Sequence, residues 1–97
     1  MTKFNQVKEK NIETLELYAP IVARVHGESH PEFHHVHRLF NEINVKMKET
    51  DKPELDYEFK ELRKVTDNYR VPSDTCESYE AVYNMLSELD EAYYRSI

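Results

Sequence analysis

The chain has 97 residues, a net charge of −6, one glycine, four prolines and one cysteine. That length makes one domain, 1–97, with a single small core. One glycine is too few for the tight turns of a β-sandwich and leaves no glycine-rich phosphate loop. The negative charge disfavours nucleic acid as a partner, and lone Cys76 excludes an intrachain disulfide and suits a reducing cytoplasm.

The first segment, about 3–26, carries a helical stripe of Phe4, Val7, Asn11, Leu15, Tyr18, Val22 and Val25, with Ile12 and Ile21 beside it. Pro20 is expected to kink this helix or split it near Tyr18, and Gly27 to end it in a left-handed conformation. The second segment, about 31–50, opens at Pro31 and alternates spacings of three and four through Phe33, Val36, Phe40, Ile43 and Met47. The third, about 53–69, opens at Pro53 behind an Asp51-to-Glu54 capping spacing and runs through Leu55, Phe59, Leu62, Thr66 and Tyr69. The fourth, about 74–95, starts with an Asp74-to-Glu77 capping spacing and presents Tyr79, Val82, Tyr83, Leu86, Leu89 and Tyr93. Four amphipathic helices with short connections predict an all-α fold, an antiparallel up-down four-helix bundle. No apolar run approaches the roughly 20 residues of a membrane span, and no signal peptide is expected.

All five histidines fall between His26 and His37. On a helical wheel His34 and His37 share one flank of the second seam, His30 joins them if the first turn is regular, and His35 points elsewhere. Three readings compete. The group is a polar flank near a helix start, a site for zinc, nickel or iron completed by Glu28, Glu32 or a partner chain, or a pH-sensitive contact surface. His26 sits where a helix dipole favours a cation. Cys76, in the first turn of the fourth segment, reads as a core side chain in preference to a reactive thiol. Glu32 and His35 make one Glu-x-x-His, whereas two-iron carboxylate bundles use two such motifs on separate helices. The seven tyrosines, mostly at helical spacing, read as core and rim.

Two stretches carry a resemblance. One is Val22-Ala23-Arg24-Val25-His26-Gly27, then His30-Pro31-Glu32 and Leu39-Phe40-Asn41-Glu42-Ile43. The other is Leu62-Arg63-Lys64-Val65-Thr66-Asp67-Asn68-Tyr69, then Val71-Pro72-Ser73-Asp74-Thr75-Cys76, Ser78-Tyr79, Tyr83 and Leu86. In this order they resemble the iron–sulfur cluster repair proteins with a hemerythrin-like di-iron domain, over most of the chain after residue 20. The resemblance implies a hemerythrin-like bundle. It also implies a ligand set of histidines and glutamates over four helices, of which this chain keeps only His26. No histidine stands near Asn5 and Gln6, in Met47-Lys48-Glu49-Thr50-Asp51, or in the last helix from Leu89 onward.

The expectation is therefore a shortened, non-catalytic relative of those repair proteins, a small cytoplasmic binding protein that pairs with itself or a protein partner. The alternative is an iron- or zinc-binding protein linked to cluster repair or stress response, with His26, His30, His34 and His37 as ligands. No catalytic residues are assigned.

Overall fold

The computed structural model describes residues 3–50 and 52–95. It contains four helices: α1 (Lys3–His26), α2 (Glu32–Glu49), α3 (Asp56–Thr66) and α4 (Glu77–Arg95). The radius of gyration is 12.6 Å, as expected for a chain of this length packed around one core. α1 lies against α4 and α2, and α2 against α3. No described helix is long and apolar enough to cross a membrane.

α1 is continuous through Pro20. The proline faces outward, and the carbonyl it leaves unbonded belongs to exposed Glu16, where water can satisfy it. The buried face begins as the spacing predicts, with Phe4, Val7, Asn11, Leu15 and Val22, but Ala19 and Ala23 complete it. Val25 is 62% exposed and Ile21 38%. A strict three-four repeat drifts by roughly 20° per heptad on an ordinary helix. Three heptads on from Phe4, that drift turns Val25 away from the core and brings the alanines in.

The seams of α2 and α4 are buried as expected, and that of α3 as far as Thr66, with Tyr69 beyond the helix and half-buried. α2 buries Phe33, Val36, Phe40, Ile43 and Met47, together with Leu39. α4 buries Tyr79, Val82, Tyr83, Leu86, Leu89 and Tyr93. Wholly buried Leu or Phe side chains are worth about 1.5–3 kcal/mol each, and Leu15, Phe33, Phe59, Leu62 and Leu86 are all at 0% exposure. The core thus supplies the main driving force.

α3 is shorter than expected at both ends. Pro53 is buried in the approach to the helix rather than opening it. The N–H of Leu55, the last residue before α3, donates to the Tyr93 hydroxyl at 3.0 Å, so a side chain of α4 fixes where α3 begins. The expected cap at Asp51 lies outside the described residues. At the other end Asp67, Asn68 and Tyr69 take positive φ of 53°, 59° and 64°. Left-handed backbone costs an L-residue roughly 1–2 kcal/mol, so three in succession need external support. α4 likewise begins at Glu77, three residues later than expected.

The support for the left-handed turn comes from Thr66 and Asp90. The buried Thr66 hydroxyl donates to the Leu62 carbonyl at 2.6 Å and accepts the Tyr69 N–H at 2.7 Å. Asp90, only 6% exposed on α4, accepts from Arg63 Nε at 2.9 Å, from Arg63 Nη2 at 3.1 Å and from the Tyr69 hydroxyl at 2.7 Å. Burial and the bond to Asp90 push the Tyr69 phenol far above its usual range. One carboxylate therefore holds α3, the turn after it and α4 together. Asp90→Ala should lower the unfolding free energy by about 2–4 kcal/mol, because it strands a partly covered guanidinium and a phenol. Tyr69→Phe should lower it by about 1 kcal/mol. Urea denaturation checks both, and equal losses would show that the bidentate Arg63 contact contributes nothing.

Candidate functional site

The histidine segment lies at one end of the bundle, where α1 stops, the chain turns through 27–31 and α2 starts. The loop that enters α4 meets it there. The organising side chain is Tyr79, buried in the first turn of the core face of α4. The rings of His26 and His30 stand edge-on to it, with centroids 5.5 and 5.6 Å away. Phe33 at 5.0 Å and Tyr83 at 4.8 Å close the remaining sides. The Tyr79 and Tyr83 hydroxyls lie 3.0 Å apart and share a hydrogen bond. Burial raises the pKa of both phenols, so both stay neutral in ordinary conditions.

The histidines divide their partners. His30 Nδ1 is 2.9 Å from Glu32 Oε1 and its Nε2 is 3.0 Å from Asp74 Oδ1. Carboxylates only accept, so satisfying both requires a proton on each ring nitrogen. Accordingly the bond to Glu32, with further help from Asp74, raises the pKa of His30 above its ordinary 6.5 despite desolvation. Asp74, expected as a helix cap, instead bridges to the histidine turn. His26 Nε2 lies 3.1 Å from Cys76 Sγ. Cys76 is exposed, which corrects the expectation of a core side chain. It shares the three-four register of Tyr79 and Tyr83 but sits one residue ahead of α4, beyond the end of the core, where its thiol meets His26.

His34 leaves the cluster. Its exposed ring lies against Gly27, so closely that a Cβ on Gly27 would collide with His34 Nε2 and with the Ala23 carbonyl. Gly27 does not take positive φ. A buried glycine is required here for close approach rather than for a left-handed bend. His37 is half-buried, and desolvation first, then the nearby His34, lowers its pKa. His35 is also half-buried.

The structure thus brings His26 and His30 together around Tyr79 and leaves His34 and His37 on the flank of α2. Among the described residues no three His, Cys, Asp or Glu side chains are grouped so as to hold a metal ion. A two-iron centre needs several ligands aimed at one point, and these residues do not fit one. Tyr79, Asp74 and Cys76 are the members of this end to which the histidine pattern does not point. The one signal is Asp74-Thr75-Cys76, whose spacing reads as a helix start. Comparison with known proteins finds no match to this chain among family models, curated proteins or solved structures.

Because the folded pKa of His30 is raised, its stabilising contribution is complete below about 6.5, the unfolded value. It is lost as the pH rises through the folded value. The stability advantage of the native chain over His30→Gln should therefore shrink from about pH 6 to pH 8, while ring resonances titrate above 6.5 for His30 and below it for His37. An advantage that grew with pH would contradict the bridging geometry. Gly27→Ala should cost about 1–3 kcal/mol in thermal or chemical unfolding, with only part of it restored by His34→Ala, since the Ala23 carbonyl does not move away.

Proposed function

We propose that this chain is a shortened, non-catalytic relative of the iron–sulfur repair hemerythrins, an antiparallel up-down bundle that serves as a small cytoplasmic interaction protein. The order of its inter-helix contacts supports that topology. Asn11 meets Glu88 and His26 meets Cys76, so α1 and α4 run in opposite directions. Glu16 meets Asn44 and Lys48 while Gly27 meets His34, so α1 and α2 do too.

The observation that carries the reading is the fate of the inherited histidine. His26, the one residue that aligns with the family's metal set, is spent on Cys76 and Tyr79. The rest of that end is filled by aromatic rings packed against one another. Chemistry at a bound metal needs ligands free to converge, and here His30 is held between two carboxylates while His26 faces a thiol and a tyrosine ring. What remains for function is the surface. Of the six large apolar side chains exposed among the described residues, three, Leu17, Ile21 and Val25, lie on α1. An exposed free thiol fits a reducing cytoplasm.

One observation favours the second reading, an iron or zinc site. His26 and Cys76 form a nitrogen–sulfur pair 3.1 Å apart, a donor combination that suits zinc. Such a site needs further ligands from a movement of His30, from His34 and His37, or from a second chain. Elemental analysis of untagged protein, purified without oxygen from iron-supplemented cells, tests both readings. The expected result is far less than one metal per chain. Two irons per chain would overturn the non-catalytic reading. About one metal, lost in His26→Ala/Cys76→Ala or in His34→Ala/His37→Ala, would establish the second.

A further inference from the structure

The outward face of α1 carries a charge order that is complementary to its own reverse. Lys10, Glu13, Leu17, Ile21 and Arg24 are all exposed on α1, and exposed Glu28 follows in the turn after it. At about 100° per residue the five on α1 fall within about 80° of one another, and Glu28 follows beyond the end of the helix. They lie opposite Leu15, Ala19 and Val22, which face the core. Leu17 is 60% exposed and Ile21 38%. Lys10, Glu13, Arg24 and Glu28 have no ion-pair partner among the described residues. This is unlike Glu16, which is engaged by Asn44 and Lys48 of α2.

Read forwards the stripe is positive, negative, apolar, apolar, positive, negative. Laid antiparallel on a second copy, Lys10 faces Glu28, Glu13 faces Arg24 and Leu17 faces Ile21, and each contact occurs twice by symmetry. Parallel pairing would place Lys10 on Lys10 and Glu13 on Glu13, which repels. The spacings of three and four are those by which one helix seam meets another. Val25, 62% exposed, widens the apolar centre.

We infer that α1 is the surface through which two copies of this chain associate, antiparallel about a two-fold axis between Leu17 and Ile21. The inference rests on the interaction reading above and names the partner. The apolar centre supplies the attraction, and the flanking charges set orientation and exclude other helices. These charges are balanced, Lys10 and Arg24 against Glu13 and Glu28, so the surface selects a partner of matching order rather than any acidic or basic protein.

The test is a charge exchange on the full chain, read by analytical ultracentrifugation over a range of concentrations. Circular dichroism verifies that each variant folds, which exposed positions should permit. The native chain should reach a reversible dimer. Glu13→Arg sets two arginines against each other in both symmetric contacts, and Arg24→Glu sets two glutamates together. Each alone should weaken dimerisation about tenfold or more, since two pairs change sign at once. Mixed in equal amounts the two variants should recover a one-to-one heterodimer, because every arginine then meets a glutamate. The double variant Glu13→Arg/Arg24→Glu should dimerise like the native chain. A native chain that stays monomeric, a dimer indifferent to both reversals, or variants that fail to combine would each overturn the inference. A monomer without metal would leave the interaction reading standing with a different partner, whereas two irons per chain would remove that reading whatever the oligomeric state.

Discussion

Asp90 sits on the buried face of α4, yet its carboxylate is surrounded by donors. Both Arg63 nitrogens that reach it come from α3, and the Tyr69 hydroxyl comes from the turn that follows. α3 is the shortest helix, 11 residues, and too short to be stable by itself. Its place depends on apolar contacts and the Lys46–Glu58 ion pair with α2, on Tyr93 of α4, which meets the Leu55 N–H and the Phe59 ring, and on these bonds to Asp90. Arg63 also lies over the Tyr94 ring at 4.9 Å, so one guanidinium is held on two sides. Without Asp90, the strained residues 67–69 lose one of their supports and keep the Thr66 hydroxyl and the backbone bonds from Asn68 to Arg63 and from Arg70 to Thr66. The route of the chain into the loop before α4 is then less firmly anchored, and with it the position of Asp74 and Cys76 beside the histidines. The polar end of the bundle therefore rests on a bond made some way below it.

That end is a closed set of pairs rather than an open site. His30 uses both nitrogens on carboxylates, His26 faces a thiol, and the ring between them is a tyrosine whose own hydroxyl is taken by Tyr83. Each of these polar groups has a partner, as polar groups approaching a core require. Lys46 also joins two helices: its ammonium lies 2.7 Å from Glu58 Oε2, in a carboxylate almost wholly buried in α3 whose other oxygen has no hydrogen-bond partner among the described residues. The bundle uses its ionisable residues to join helices, which is a structural use. It is consistent with a protein whose function lies on its outer faces.

The seams of α2, α3 and α4 are legible in the sequence because large side chains recur there every three or four residues and no competing pattern exists. α1 is legible as far as Leu15 and again at Val22. Its later turns contain two alanines, Ala19 and Ala23, and a periodicity of large side chains passes over them, although both are buried. Gly27 invites a reading through its φ, yet its use is the space it leaves for the His34 ring, a contact between residues seven apart that no local rule supplies. The ends of α3 and α4 depend on Tyr93, Asp90 and His30, each remote in the chain. The histidines are visible as a cluster in sequence. Their separation into pairs is not, since it is set by Asp74, Cys76 and Tyr79, some 40 to 50 residues away and drawn to other roles by their neighbours.

The drift along α1 ties these observations to function. A helix that keeps a strict heptad of large residues buries all of them against one partner. α1 departs from that repeat, so its second half has alanines inside and Leu17, Ile21 and Val25 outside. For a monomer this is a poor use of apolar surface: three large side chains stay in water while Val22 and two alanines face the core. The exposed residues are not scattered, because they follow one another at four-residue steps along the helix, with Lys10 and Glu13 before them and Arg24 and Glu28 on either side of the last. Scattered exposed apolar residues call for no explanation, whereas an ordered row does. The alanines turned to the core and the outward row therefore have one origin. The sequence of α1 serves two faces, one turned to the core and one free to meet another helix.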